Sequence, residues 1–154
     1  MNQYRFSPIQ DKEELVDAVR YVATETTRLA EKVIGESFPI KSLTIFSHDQ
    51  SEYESLIEIL FEVGRPYNEN NGPRVELFEP IRIGNNSIKY LRIRKPDAER
   101  PQVGCNDFET DYELFKSGYL SQNQETLFLI KRPEYEMIEF RDLSFDVLAY
   151  VVSS

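Results

Sequence analysis

Seven consecutive residues near the middle of the chain, Lys89-Tyr-Leu-Arg-Ile-Arg-Lys95, alternate basic or aromatic side chains with aliphatic ones. A period of two is what a strand uses to present different chemistry on its two faces. Leu91 and Ile93 are therefore expected against a helix, with Tyr90, Arg92 and Arg94 on the other side. Guanidinium groups hold carboxylates and phosphates through paired, charge-assisted hydrogen bonds, so this face suits a small anion. The same alternation gathers Arg74, Glu76 and Phe78 on one face of a neighbouring strand, and Met137, Glu139 and Arg141 on one face of a later strand.

If Glu76, Asp107 and Glu139 all face Arg92 and Arg94, several outcomes are open. The charges neutralise one another in a structural network, or they hold an anionic or zwitterionic small molecule, or one carboxylate works as a general acid–base with a pKa raised by burial beside other acids. Asp107 and Glu139 are the catalytic candidates of this pattern, and Arg74, Glu76, Tyr90, Arg92 and Arg94 the ligand-binding ones. The plainest alternative is a strand whose Lys and Arg are solvated.

Other reactive groups are sparse. The single histidine, His48, stands between a strand and a helix start, where a cap or surface residue is the ordinary outcome, and one histidine cannot build a His-based metal cluster. Cys105 follows Gly104 beside an apolar run and reads as a small buried residue. There is no Gly-rich phosphate loop, no Gly-x-Ser-x-Gly elbow and no Cys–His pairing signal, so no cofactor is expected.

Charge distribution narrows the ligand class. The chain has 154 residues and a net charge of −9, which argues against nucleic acid, because binding it depends on neutralising phosphates. Residues 1–64 carry 6 basic and 12 acidic side chains, residues 65–100 carry 8 and 5, and residues 101–154 carry 4 and 10. Two acidic flanks thus enclose a basic middle. One cysteine rules out an internal disulfide framework and fits a reducing compartment. The opening residues show no apolar signal segment, and no apolar run approaches the roughly 20 residues that span a bilayer. A cytoplasmic protein with no membrane partner is expected.

The elements that must position these residues follow from periodicity. Leu15, Val19, Val22, Leu29 and Val33 fall at helical spacing between Asp11 and Ile34, with Asp11 and Glu14 as a capping box and Gly35 as the stop. Ser42–His48 reads as a strand. Ser51 and Glu54 read as the cap of a second helix with Leu56, Ile59, Leu60 and Val63 as its apolar stripe. A loop is expected over residues 65–73, then strands at Arg74–Phe78, closed by Pro80, and Ile88–Arg94, joined by a turn at residues 84–86. The polar connector 95–104 crosses to a second half of like order. That half holds a short strand near Asp107, a helix capped by Thr110 and Glu113 with Tyr112, Phe115 and Tyr119 on one side, and strands at 126–131, 136–141 and 147–152. The fold class is α+β: an N-terminal helix (11–35) and two strand–helix–three-strand units (41–95 and 103–152) in one 154-residue domain, forming curved, mostly antiparallel sheets around a pocket.

That order, with the segments Leu43-Thr-Ile-Phe-Ser-His48, Leu77-Phe-Glu-Pro80, the Arg94-Lys-Pro-Asp97 and Arg100-Pro101 crossing and Phe140-Arg-Asp-Leu-Ser-Phe-Asp-Val-Leu148, resembles the vicinal oxygen chelate superfamily of glyoxalase-type domains, and within it the YecM-like branch. The resemblance spans about residues 11–152. It implies two half-barrel sheets around a pocket and a capacity to pair as a homodimer. In metal-dependent members it implies a ligand near the start of the first strand and another on the last strand of each unit. Those places fall on Ser42, Arg92, Asp107 and Ala149, of which only Asp107 is a hard-metal ligand, so metal-dependent chemistry is not expected.

The functional expectation is a metal-independent, glyoxalase-like domain that binds a small anion through Arg92 and Arg94. The alternatives are a lyase or isomerase using Glu139 or Asp107 as general base, and a non-catalytic protein-interaction module. A further one starts from the basic strand and Glu136-Met-Ile-Glu139, which resemble pieces of triphosphate-tunnel domains that bind phosphate inside a closed barrel.

Overall fold

The structure, a computed structural model, describes residues 4–67 and 72–153. Three helices and eight strands follow the expected order: α1 (Lys12–Ile34), β1 (Ile40–Phe46), α2 (Gln50–Val63), β2 (Gly64–Pro66), β3 (Arg74–Ile83), β4 (Asn86–Arg94), β5 (Gly104–Phe108), α3 (Tyr112–Tyr119), β6 (Leu127–Lys131), β7 (Glu136–Phe140) and β8 (Val147–Val152). The class is α+β with an N-terminal helix.

One sheet runs through both halves, in the order β2-β3-β4-β1-β5-β8-β7-β6. Each half repeats the other in mirrored sequence from the middle outward. β1 is parallel to β4 and β5 is parallel to β8, while β1 and β5 meet antiparallel with Thr44 opposite Cys105 and Ile45 opposite Gly104. The two expected sheets are therefore joined into one. β2 and β6 are its edges, so the strands do not close into the barrel of a triphosphate tunnel.

The three helices bury one face of this sheet. α1 supplies Leu15, Val19, Val22 and Leu29, and the strands answer with Leu43, Ile45, Leu91, Ile93, Ile138, Phe140, Ala149 and Val151, all fully buried. Leu91 and Ile93 stand against the helices, as their spacing requires. A second, smaller cluster of Phe46, Cys105, Leu148 and Tyr150 forms on the opposite face. The alternation of the central strands thus sorts two sets of residues to two sides. No helix among the described residues is long and apolar enough to cross a membrane.

Several local expectations shift. The α2 cap is Asp49, whose carboxylate accepts from the Glu52 amide at 2.7 Å, and the α3 cap is Asp111, accepting from Leu114 at 2.9 Å. In each case an aspartate beside the expected Ser or Thr wins, because its charge also suits the helix N-terminus. α1 is capped as expected, with Asp11 accepting from Glu14 at 2.8 Å. β3 runs on through Pro80 to Ile83. β2 pairs only with Val75–Leu77, so Pro80 lies on an open edge, and the β3–β4 register shifts between Glu76 and Ile81. A proline is tolerated where the ladder does not need its missing N–H. Part of the expected loop, Arg65-Pro66, joins β2, and residues 68–71 lie outside the described residues.

Gly104 sets how closely the halves meet. A Cβ there would stand 2.3 Å from the Thr44 carbonyl oxygen and 3.1 Å from Val22 Cγ2 of α1. Backbone cannot retreat at the centre of a sheet, so Gly104→Ala is expected to cost about 1–3 kcal/mol, the usual range for overpacking. Urea unfolding monitored by circular dichroism measures this, and an unchanged midpoint would contradict such tight contact.

Candidate functional site

On the face away from the helices the sheet curves around a cavity of about 840 Å³. Its wall draws on strands from both ends of the sheet. Arg74, Arg92, Arg94, Lys95, Arg100 and Arg132 line it against only Asp107 and Glu134. A chain of net charge −9 has therefore placed an excess of cations in this concavity. Low-dielectric walls focus such a field on whatever enters.

Strand pairing explains how the charges assemble. Arg74 on β3 stands directly opposite Arg92 on β4, and Arg92 lies beside Thr44 of β1. Like charges placed opposite each other across two strands are unfavourable unless something compensates them. Among the described residues neither guanidinium is ion-paired, and Arg92 Nε is buried without a hydrogen-bond partner. A buried donor left unmade carries a desolvation cost of about 1–3 kcal/mol.

The acids expected to neutralise these arginines are engaged elsewhere. Glu76 pairs with Arg65 of the edge strand at 3.3 Å, and Arg94 reaches Asp97 at 3.4 Å while lying over the Phe46 ring. Glu139 is fully buried beneath the cavity wall. It accepts from Arg100 Nη1 at 3.0 Å, Arg141 Nε at 2.8 Å and the Tyr150 hydroxyl at 2.7 Å, with a further bond from Arg141 Nη2. Burial pushes the Glu139 carboxyl upward, but the donors from Tyr150, Arg141 and Arg100 outweigh it and hold the pKa below the ordinary value. A carboxylate so saturated is an anchor for the second half of the sheet and a poor proton acceptor. Tyr90 stacks on Tyr67 at 4.7 Å, and neither Tyr90 nor Glu76 is among the residues lining the cavity.

Asp107 differs in every respect. It lines the cavity half-buried and accepts one hydrogen bond, from the Ser42 hydroxyl at 3.2 Å. Burial raises its pKa above the ordinary carboxylate value, more than Ser42, Arg92, Arg74 and Lys41 lower it. Cys105 beside it is pushed up to about 12 by burial and by Asp107, so it stays a thiol. Tyr150 is raised as well, first by burial, and remains a hydroxyl donor.

The four places where metal-dependent relatives hold their ligands are now located. Asp107 and Arg92 line the cavity, Ser42 donates to Asp107 from beside it, and Ala149 points into the helix-covered core. The residue of β8 on the cavity side, opposite Asp107, is Tyr150. One carboxylate beside a guanidinium does not fit a divalent cation, which takes about three protein ligands. No cluster of three His, Cys, Asp or Glu suited to a metal occurs among the described residues.

His48 lies outside the cavity lining. Its Nε2 donates to the Gln102 carbonyl at 2.8 Å, its Nδ1 is hydrogen-bonded to the Ser7 hydroxyl at 2.7 Å, and Tyr4 stacks on its ring. The Ser7 and Tyr4 contacts tie the N-terminal segment to His48, and the Gln102 bond ties His48 to the connector before β5. Arg100, Arg132 and Tyr150 were not singled out by the sequence. Tyr150 follows from the alternation of β8, but Arg100 sits in a connector whose residues have no period from which to read a direction.

No family model matches the chain, and no curated protein matches it. A solved structure described as "Structural Genomics, Protein EC4020" is similar over 98% of this chain and 93% of that chain, with a TM-score of 0.64 at 10% identity. At that identity the likeness speaks for the fold alone.

The two carboxylates are expected to respond oppositely to pH. Glu139, lowered in the folded state, contributes stability above about pH 4 that is lost as pH falls through its folded value. Glu139→Gln, which also strands Arg100, is expected to cost about 3 kcal/mol at pH 7 and to flatten that acid limb. Asp107, raised in the folded state, favours folding below about pH 4 and loses that contribution as pH rises through its folded value. Asp107→Asn is therefore expected to stabilise the protein at pH 7 relative to pH 4. Urea titrations across pH 3–8 measure both, and parallel curves for wild type and Asp107→Asn would contradict the assignment.

Proposed function

We propose that this chain is a glyoxalase-like domain that binds a small anionic molecule in its concave cavity without a metal, through Arg74 and Arg92. The observation that carries the reading is the arginine pair at cross-strand positions of β3 and β4, without an ion pair among the described residues and with only Asp107 acting on both, and with the Arg92 Nε left without a partner. An oxyanion between them would accept the unmade hydrogen bonds and remove the like-charge repulsion in one step. Arg94, Lys95 and Arg100 raise the local potential around it. Two like units meeting at β1 and β5 support the resemblance to the vicinal oxygen chelate superfamily and its YecM-like branch. A cavity left open between unpaired arginines favours a ligand site over a closed, salt-bridged interaction module. A single reduced cysteine is consistent with a cytoplasmic protein.

A second reading adds turnover. Asp107, its pKa raised by burial in the cavity wall, suits proton transfer to or from a bound anion in a lyase or isomerase reaction. Glu139, held ionised by three donors, is assigned to structure. The two readings separate on Asp107: a binding domain tolerates Asp107→Asn with affinity intact, whereas an enzyme loses turnover.

Titration calorimetry with inorganic phosphate at low ionic strength tests the binding claim. Arg92→Ala and Arg74→Ala are each expected to weaken binding at least tenfold, corresponding to about 1.4 kcal/mol or more. Arg28→Ala, at a surface pair with Glu25, is expected to leave it unchanged. Equal affinity in wild type and Arg92→Ala would overturn the proposal.

A further inference from the structure

The two halves of the sheet share a plan, but they line the cavity with opposite chemistry. The first half presents Arg74, Arg92, Arg94 and Lys95 and no acid. The second, beside Asp107, Arg132 and Glu134, presents a continuous apolar row: Ile130 on β6 stands opposite Met137 on β7, and Met137 opposite Val152 on β8. These three pack on Phe46, Cys105, Leu148 and Tyr150, a cluster on the cavity face separate from the helix-covered core. The cluster's own members are buried, whereas Ile130, Met137 and Val152 remain partly exposed and line the cavity.

Structure alone does not require this division. A face that only had to stay soluble would carry polar and charged side chains along each strand, as β4 does with Tyr90, Arg92 and Arg94. Here a row of three half-covered apolar side chains shares one concavity with cations that outnumber the acids beside them. Inorganic phosphate would satisfy the cations and leave the apolar row wet. A molecule with an anionic head and an apolar body satisfies both, and covering the row contributes in proportion to the apolar area removed from water.

We infer that the ligand is an amphipathic anion, a carboxylate or phosphate monoester whose head sits between Arg74 and Arg92 and whose apolar body lies along Ile130, Met137 and Val152. This rests on the anion site proposed above and adds the second half of the recognition. Head and body lie on different halves of the sheet, so the ligand bridges the β1–β5 junction.

Calorimetry with acetate, butyrate, hexanoate and hexyl phosphate, beside inorganic phosphate and neutral 1-hexanol, tests it. Affinity is expected to rise about three- to fourfold per methylene from acetate to hexanoate. Met137→Gln is expected to reduce that increment, and Arg92→Ala to weaken every anion. Hexyl phosphate binding more tightly than inorganic phosphate also supports the inference. If phosphate binds but hexanoate binds no better than acetate, the amphipathic ligand is overturned and the anion site stands. If 1-hexanol binds as tightly as hexanoate, the head contributes nothing and the inference fails. If no anion binds at all, both readings fall. The chain-length comparison needs only the wild-type protein, so it holds even where a variant does not fold.

Discussion

The backbones of β1 and β5 lie antiparallel at the centre of the sheet, with Gly104 opposite Ile45 and its Cα side so close to the Thr44 carbonyl that no side chain fits. Two like units become one eight-stranded surface through this contact. α1 covers the junction from one side, with Val22 against it, and seals the larger core. The other side is left to curve freely, and residues far apart in the chain, from Arg74 to Val152, come to share one cavity. The candidate site depends on that junction, because most of its cations come from one half and its apolar row from the other.

Electrostatics then distinguishes the residues that hold the fold from those free to act. Glu139 loses its hydration completely, and two guanidinium groups and a phenol replace the lost water. Removing any one of them would leave a buried charge exposed to a poor solvent, so this cluster is fixed in one protonation state and one geometry. Arg74 and Arg92 are the reverse case. They sit on neighbouring strands with no ion pair among the described residues and only Asp107 near enough to act on both, an arrangement that leaves positive charge in excess. Asp107 stands between these extremes, half-buried and singly hydrogen-bonded.

Much of this arrangement was legible in the residues, and the exceptions have physical causes. The period-two alternation of Leu91 and Ile93 with Tyr90, Arg92 and Arg94 gives the correct faces, since a strand allows no other assignment once one side is apolar. α1 and the order of elements follow from spacing and capping. Partner choice was not legible. Glu76 and Glu139 share a face with the arginines, yet pairing depends on which strands are neighbours and where connectors pass. Arg65 from β2 and Arg100 from the crossing took those acids, and neither segment has a periodicity that reveals its direction. Ala149 fell on the wrong side because a slip of one residue reverses every side chain of a strand, placing Tyr150 in the cavity instead. The apolar row on β6, β7 and β8 was hidden for a similar reason, since it exists only through cross-strand register.

On the proposed reading, Arg92, whose Nε has no hydrogen-bond partner among the described residues, is available to an anion in the cavity. The nitrogen–proton resonance of its Nε group, assigned by comparison with Arg92→Lys, reports this directly. On titration with inorganic phosphate it is expected to shift saturably, while the Nε resonance of Arg141, bound to Glu139, stays in place. A resonance for Arg92 that does not respond to phosphate, and that instead shows a hydrogen bond to a carboxylate of the protein, would contradict the account.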